Sequence, residues 1–556
     1  MQRRANEPSG SSQAMGASLE INLQKVDRDR DATLFELAGR AGIQVPSSCQ
    51  GRGKCRECLL EVSEGMECLS PPGEEEKHLP DRFRLACRAR VVAEEGMARC
   101  HTLRRGSVRV LEETFDLPVG SQSTDLDPAV TRDSDRILLD GEIIAEGSGP
   151  IHGIAMDLGT TTVSMRLLDL ATGQAVATQS FENPQRFGGS DIMSRIQYEV
   201  DHPGKLLQRV LLGYLTRAIE EFPVDPETIY EIVVAGNPTM RDMLFGLPVE
   251  GLGQKPYRSS MEQEMLDGER ASTCLTVTGK KLRLPIHPAG RVYGLPLIGC
   301  HVGADTAACL LAIGMGRETR TVALMDIGTN TELVIGNRDR LLAASCPAGP
   351  AFEGGELSCG MPAVKGAVER VAIKEDGSLE LGIIGEGDPE GICGSGLIDL
   401  LGELLRTDRM NDKGRLCDGS DHFAVSPHHQ IALTEHDVSL LAQAKGANAA
   451  GLEIVLEAFG LEARALDTFY LAGAFARHLD VEAAMQIGLI PSLPAERIKQ
   501  IGNASLEGAT IALRSASSRR ELEELAGRIE HVQLESHPDF FDYFVNGCRF
   551  VPMASS

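Results

Sequence analysis

The sequence predicts two architectures in series: a small α+β domain near the N-terminus, then a two-lobed α/β fold made by internal duplication. Two observations carry this. Residues 18–98 read as a strand, a helix, a Cys/Gly/Arg-rich loop and a second strand. Beyond residue 151 apolar strands alternate with helices, and GIAMDLGTTTVSMRLLDLATGQAVA (153–177) is echoed by VALMDIGTNTELVIGNRDRLLAA (322–344).

Residues 1–17 are polar and small, the composition of a disordered tail. LEINLQKV then alternates like a strand, and DATLFELAGRAGI has helical spacing that stops at Gly42. CLLEVSEG reads as the next strand. Residues 99–150 are weakly patterned: SVRVLEETF has strand character, and GSQSTDLDPAVTRDSD reads as polar linker. The two repeats define lobes over 151–320 and 321–556. Each begins with an apolar strand, an Asp-x-Gly-Thr turn, a second strand, a short turn and a third strand. Each is followed later by an apolar strand ending in a Gly turn that opens a helix, IYEIVVAGNPTM (229–240) and TFYLAGAFARHL (468–479). Two related lobes imply a cleft between them.

Composition narrows the function classes. Lys and Arg number 55 against 80 Asp and Glu, a formal charge of −25 over 556 residues. Such a surface disfavours nucleic acid or an anionic membrane as partner. Aromatic residues are scarce, with no Trp, which disfavours a base-stacking platform. No apolar run reaches about 18 residues, so no transmembrane helix is expected. Arg3 and Arg4 are followed by no apolar stretch, so the N-terminus does not read as a secretory signal, and a cytoplasmic location is expected. Fourteen cysteines then point to metal or redox chemistry rather than disulfides.

Cys49, Cys55, Cys58 and Cys87 stand out, with five, two and 28 residues between them. A [2Fe–2S] cluster takes four thiolates, three of which can come from one tight loop, the fourth arriving from a strand end. Gly51 and Gly53 let that loop bend and turn its N–H groups toward sulfur. Structural zinc is the competing reading, although it usually takes two short-spaced pairs and only one is present. Cys68 and Cys100 fall outside the pattern. With its Arg84-Leu85-Ala86-Cys87 ending, the stretch resembles a [2Fe–2S] ferredoxin, which implies a β-grasp fold.

DLGTTT (157–162) and DIGTNT (326–331) each sit at a strand-to-strand turn. Gly lets the backbone approach a phosphate, turn N–H groups and Thr hydroxyls donate to its oxygens, and Asp can hold Mg²⁺ through water. One such turn is commonplace; two in duplicated strands resemble the actin, sugar-kinase and Hsp70 superfamily, which clamps ATP between two lobes. That resemblance makes Asp157, Gly159, Thr160 and Thr161 the first phosphate loop, and Asp326, Gly328, Thr329 and Asn330 the second. It places Gly473-Ala474-Phe475 on the adenosine side. GICGSGLIDLLGELL (391–405) is a Gly-rich turn opening an apolar helix, where Gly394 and Ser395 could offer free N–H groups to a nucleotide or simply allow tight packing.

Together the halves resemble the reductive activators of corrinoid-dependent methyltransferases, which join a [2Fe–2S] domain to an actin-like ATPase. AGNPTM (235–240), VGADTAA (302–308), MDIGTNTEL (325–333), CPAGPAFEGG (346–355), GICGSGLIDLL (391–401) and YLAGAF (470–475) carry the likeness over roughly 19–92 and 151–513. Pro238 and Thr331 depart from the family's Thr and Gly. Members also carry a middle domain, for which 99–150 leaves room only as a linker or a reduced version.

The resemblance implies one-electron reduction of cob(II)alamin to cob(I)alamin in a corrinoid protein of a methyltransferase system. It implies a low-potential electron donor, ATP with Mg²⁺ as the drive, Asp157 and Asp326 as the catalytic pair, and is compatible with a homodimer. Two rivals belong to other classes. One is a nucleotide-regulated electron carrier or redox sensor without ATP-driven reduction. The other is a small-molecule kinase, for which a fused ferredoxin has no use. Arg52, Lys54 and Arg56 form a basic cluster beside the cysteines: three solvated side chains, or a docking rim for an acidic partner.

Overall fold

The computed structural model describes residues 18–104, 126–473 and 476–553. The chain divides into two compact units, split near residue 105.

The first unit is a five-stranded sheet, β1 (Ser18–Ile21), β2 (Gln24–Val26), β3 (Leu59–Glu64), β4 (Phe83–Leu85) and β5 (Met97–Thr102), ordered β2-β1-β5-β3-β4. LEINLQKV is a hairpin rather than the single strand expected. Asn22 and Leu23 take positive φ, the geometry that lets two strands turn within two residues. Helix α1 (Leu34–Arg40) starts on a capping box, in which Thr33 and Glu36 satisfy each other's backbone N–H. Leu34, Leu37 and Ala38 are buried, and the N–H groups of Leu34 and Phe35 donate to the carbonyls of Ala89 and Ala86. These bonds tie α1 to the segment carrying Cys87. The expected boundary at 98 cuts through β5, whose pairing with β1 and β3 completes the sheet through Thr102.

The second unit opens with a feature the polar composition of 120–135 concealed. Strands β6 (Val130–Asp133), β7 (Arg136–Leu139) and β8 (Glu142–Glu146) form a three-stranded meander. Val130 and Ile137 are buried in the same apolar cluster as Ile151, Ala155 and Leu513, so this stretch is part of the second unit's core. SVRVLEETF lies outside the described residues.

The first repeat gives β9 (His152–Leu158), β10 (Thr162–Asp169) and β11 (Ala175–Glu182). Helices α2 (Ile192–Asp201) and α3 (Leu206–Glu220) follow, then β12 (Ile229–Gly236). Helix α4 (Pro238–Phe245) is capped by Asn237, with Pro238 at its first position, where no N–H is needed. After α5 (Ser260–Leu266), β13 (Leu275–Thr278), α6 (Gly279–Leu282) and β14 (Arg291–Gly294), the sheet order is β11-β10-β9-β12-β14-β13. Helix α7 (Ala304–Ala312) leads out of this lobe.

The second repeat gives β15 (Val322–Ile327), β16 (Thr331–Asn337) and β17 (Arg340–Cys346). A three-stranded sheet follows from β18 (Ala367–Ile373), β19 (Leu379–Ile383) and β20 (Gly391–Ile392), ahead of α8 (Gly394–Arg406). The hairpin β21 (His422–Ser426) and β22 (Ile431–Thr434) precedes α9 (Glu435–Phe459), which Thr434 and Asp437 cap at one end and left-handed Gly460 at the other. Next come β23 (Thr468–Ala472), α10 (Val481–Gln486), β24 (Ile498–Gly502), α11 (Ala504–Arg514), α12 (Ala516–Ala526), β25 (Glu530–His531) and α13 (Phe540–Gly547). The sheet order is β24-β23-β15-β16-β17-β25. Both repeats thus share one pairing scheme: an antiparallel hairpin joined in parallel by the later strand.

The lobes are not the two continuous halves expected. Helices α11 and α12 cross back, burying Leu506, Ala509, Ala512, Leu513 and Leu522 in the first lobe's core. Helix α7 faces both ways as well: Ala304, Ala307 and Ala308 join that core, while Cys309, Leu310 and Ala312 join the cluster under the second sheet. Gly508 lets α11 and α7 touch, since a Cβ there would stand 1.9 Å from the Ala308 carbonyl oxygen.

Candidate functional site

In the first unit the loop 47–58 gathers three of the four predicted cysteines, and the end of β4 delivers Cys87 beside them. The thiols pair up, Cys49 with Cys55 and Cys58 with Cys87, and each pair feels charge from the other. Cys58 and Cys87 are buried; Cys49 and Cys55 are partly exposed. Burial opposes ionisation of Cys49, but the backbone N–H groups of Cys55 and Lys54 donate to its sulfur and bring its pKa down to about 6. Hydrogen bonding from Cys58 lowers Cys87 to about 7 and pushes Cys58 up. Gly51 and Gly53 have φ of +78° and +77°, and a Cβ on Gly53 would meet the Arg88 guanidinium at 2.5 Å. The loop is braced by Glu57, which accepts from Ser48 N at 2.7 Å and Ser48 Oγ at 2.9 Å.

Four thiols in two pairs, Cys49 drawn toward thiolate by backbone N–H donors and Cys87 chiefly by the Cys58 thiol, fit a binuclear cluster. Cys68 and Cys100 stand apart: the Cys68 sulfur lies 3.9 Å from the Glu95 carbonyl, and burial pushes Cys100 up to about 12. The Arg84 of the predicted ending is buried. It forms a two-pronged ion pair with Glu76 at 2.9 and 3.2 Å, and Glu76 also accepts from Leu85 N. That pair fixes the strand carrying Cys87.

In the second unit the two Asp-x-Gly-Thr turns come together. Asp157, Gly159, Thr160, Thr161, Asp326, Gly328, Thr329 and Asn330 all line one cavity, joined by Gly473. The first turn is held by Gly159 N donating to Thr162 O at 3.0 Å and by Asn183 donating to Gly159 O at 2.8 Å. Asn237, the cap of α4, donates to Thr160 Oγ1 at 3.0 Å. Asp157 accepts from Asn503 Nδ2 and Ser505 Oγ, both at 2.8 Å, from the returning start of α11. The Cys309 thiol donates to Asp326 at 3.5 Å. Gly473, at φ +108°, sits against the Ile327 carbonyl; Ala474 and Phe475 lie outside the described residues. Gly394 and Ser395 do not line this cavity. They begin α8 beneath β18, where Cys393 N donates to Val368 O and Ser395 Oγ lies 3.4 Å from Cys393 Sγ.

Sequence reasoning missed three further carboxylates in the cavity: Asp305 at the start of α7, Glu332 on β16 and Glu353. Burial raises all five. Asp305 reaches about 7, pushed further by Asp326 and Asp157, and Asp326 also reaches about 7, pushed by Asp157 and Glu353. Asp157 and Glu353 are raised by burial against the hydrogen bonds they accept, and Glu332 is raised by burial together with Asp305 and Asp326. A faint signal existed: Glu332 is the one charged residue in the strand TELVIGN.

Residues 20–92 match the 2Fe-2S iron-sulfur cluster binding domain, 152–318 the RACo middle region, and 320–555 the C-terminal ASKHA domain of RACo. A solved structure titled reductive activator for corrinoid, iron-sulfur protein superposes with a TM-score of 0.70 at 26% identity, covering 96% of this chain and 98% of that one. The chain belongs to the reductive activators of corrinoid proteins. Among this activator family's relatives, the corrinoid activation enzyme RamQ of Eubacterium limosum is 27% identical over 95% of this chain and 98% of its own. A protein of Methanosarcina barkeri named [Co(II) methylated amine-specific corrinoid protein] reductase is 26% identical over 71% and 76%. The activator's middle region is thus the first lobe, not the stretch 99–150. Among the described residues no helix is long and apolar enough to cross a membrane.

Proposed function

We propose that this chain reduces cob(II)alamin to cob(I)alamin in a corrinoid protein of a methyltransferase system, one electron at a time, at the expense of ATP. The observation that carries the reading is the meeting of the two Asp-x-Gly-Thr turns in one cavity on a chain that also gathers four thiols, three from one loop and Cys87 from the end of β4. Cys49, Cys55, Cys58 and Cys87 would hold a [2Fe–2S] cluster, which supplies one-electron transfer when bound. The chain's own residues orient and shield it: loop N–H groups stabilise thiolate, and Glu57 and the Arg84–Glu76 pair fix the ligand-bearing segments.

In the cavity, turn N–H groups and the hydroxyls of Thr160, Thr161 and Thr329 receive phosphate oxygens. Gly159, Gly328, Asn330 and Gly473 leave room for the nucleotide. Asp157 and Asp326 would hold Mg²⁺, and a dication beside them would favour the ionised forms that burial disfavours in both and that the charges of Asp157 and Glu353 further disfavour in Asp326. Asp305 lines the same cavity at the start of α7, where burial together with Asp326 and Asp157 raises its carboxyl to about 7. Nucleotide can drive reduction only by binding one conformation better than another, and the favoured one would grip the corrinoid protein. A low-potential cytoplasmic donor would refill the chain with electrons.

The deciding experiment is anaerobic absorbance of the partner corrinoid protein during its cob(II) to cob(I) change, with a chemical reductant, with and without ATP. Reduction should require Mg·ATP and be accompanied by hydrolysis. Equal reduction without nucleotide would replace this reading with a nucleotide-regulated electron carrier.

A further inference from the structure

The seat between the two turns already holds an anion belonging to the chain. Glu353 lies on a short turn at 351–353, inside CPAGPAFEGG. Its Oε2 accepts from Thr161 Oγ1 at 2.9 Å and also from Thr329 Oγ1. These hydroxyls belong to opposite turns, and each is a phosphate donor on the nucleotide reading. The charge of Arg195, a buried guanidinium on α2, also acts on Glu353. Arg195 itself donates to the Gly189 carbonyl at 3.0 Å and the Met240 sulfur at 3.1 Å. One carboxylate oxygen between two hydroxyl donors, with a cation in range, has the chemistry of a bound phosphate oxygen.

We propose that Glu353 is a placeholder for nucleotide phosphate: its carboxylate latches the two turns together in the nucleotide-free protein and is expelled when a phosphate enters. This rests on the ATP reading of the cavity. Two anions cannot share one pair of donors in a buried seat, so phosphate entry and the Glu353 bonds exclude each other. The turn carrying Glu353 is held by Glu353 N to Pro350 O and Gly354 N to Ala351 O, and by Ala351 and Phe352, which are buried in the second lobe's apolar core. Its downstream flank is anchored elsewhere. Ser358 donates through N and Oγ to Asp437, and Cys359 O and Met361 N pair with Ile392 of β20. Release of Glu353 therefore loosens the end of this segment, 353–355, between the core-packed Phe352 and a fixed anchor that adjoins the start of α8. The carboxylate makes ATP binding weaker than the cavity alone would allow, and gives the chain a segment that reports phosphate.

The test uses the full chain, titrated calorimetrically with Mg·ATP as wild type, Glu353→Gln and Glu353→Ala, with hydrogen exchange followed over 347–355. Both variants should bind about tenfold more tightly, the scale of one charge-assisted hydrogen bond no longer displaced. Exchange over 347–355 should rise in the wild type when Mg·ATP is added, and should already be raised in Glu353→Gln without it. If the wild type binds ATP but the variants bind equally or more weakly, or wild-type exchange over 347–355 does not rise, the placeholder is overturned and the nucleotide reading stands. If the wild type binds no ATP, the nucleotide reading falls, and the placeholder with it.

Discussion

Thr161 and Thr329 are separated by 168 residues, yet their hydroxyl oxygens stand 3.4 Å apart. Thr329 directly follows the Gly of its Asp-x-Gly-Thr turn and Thr161 stands one residue further along in the other, and each turn joins the first two strands of a duplicated unit. Their proximity turns a sequence repeat into a site. Two copies of one hairpin present matching hydroxyls, N–H groups and carboxylates to the same volume, as binding a chain of phosphates requires.

The hydrolytic roles follow from how the two acids are held. Asp157 is fixed by Asn503 and Ser505, and Asp326 lies against the Cys309 thiol. Asp157→Asn and Asp326→Asn should lower Mg²⁺-dependent ATP hydrolysis about a hundredfold or more. Calorimetric ATP affinity should fall less than about tenfold, because backbone and hydroxyl donors supply most of it. Equal losses in affinity and hydrolysis would move both residues from chemistry to binding.

Cluster content tests the thiol assignment. Anaerobically purified protein should contain about two irons and two sulfides per chain. Alanine at Cys49, Cys55, Cys58 or Cys87 should abolish the visible absorbance. Cys68→Ala and Cys100→Ala should retain it, since neither sulfur belongs to the loop. Zinc in native material would restore the mononuclear reading.

The Arg84–Glu76 pair is the firmest local stability test. Both side chains are about 1% exposed, and Glu76 also accepts from the backbone of Gly73 and Leu85. Glu76→Ala leaves a buried guanidinium without its carboxylate and should cost about 3–5 kcal/mol. Cluster absorbance should then be lost at lower denaturant than in wild type, while ATP binding by the second unit is unchanged.

These residues show what was legible. Cys49, Cys55 and Cys58 lie within ten residues, and each Asp-x-Gly-Thr turn within six, so local spacing sufficed. Glu76, Asp305 and Glu353 had no such signal, because each acquires its role from a partner on another element. The return of α11 across the first lobe was hidden for the same reason. Its apolar face says that it is buried, not against which sheet. The meander at 130–146 was masked by polar residues alternating with a few apolar ones, of which Val130 and Ile137 point into the core.

Acid titration in the cavity gives a pH dependence with a definite sign. Asp305 and Asp326 have folded pKa values of about 7, above the unfolded value of about 4. Their contribution to stability is therefore fully present below about pH 4 and is lost as pH rises through about 7. Nucleotide-free protein should lose thermal stability between about pH 4 and 7 and level off above that, and the rise in Tm on adding Mg·ATP should be larger at pH 8 than at pH 5. Asp305→Asn should flatten the nucleotide-free profile across that window. A steeper or unchanged profile in Asp305→Asn would show that burial and the neighbouring carboxylates do not hold Asp305 protonated.

The last prediction separates solvated loop charges from a docking rim. Arg52, Lys54 and Arg56 are all exposed on the cysteine loop, and Arg52 Nε donates to Cys49 O at 3.1 Å. The chain as a whole carries −25, so this patch contrasts with its surroundings. Rim charges act mainly on the association rate and its salt dependence. Reversal of all three to Glu should slow cobalt reduction by about tenfold or more at low ionic strength, and the deficit should shrink as salt screens the interaction. The cluster spectrum and ATP hydrolysis should be unchanged, which distinguishes the effect from loop damage. Asp326→Asn should show the converse pattern, with partner binding and the cluster spectrum retained but reduction stalled. If the triple reversal reduces cobalt at the wild-type rate at every salt concentration, the three side chains are solvated loop residues and not a docking rim.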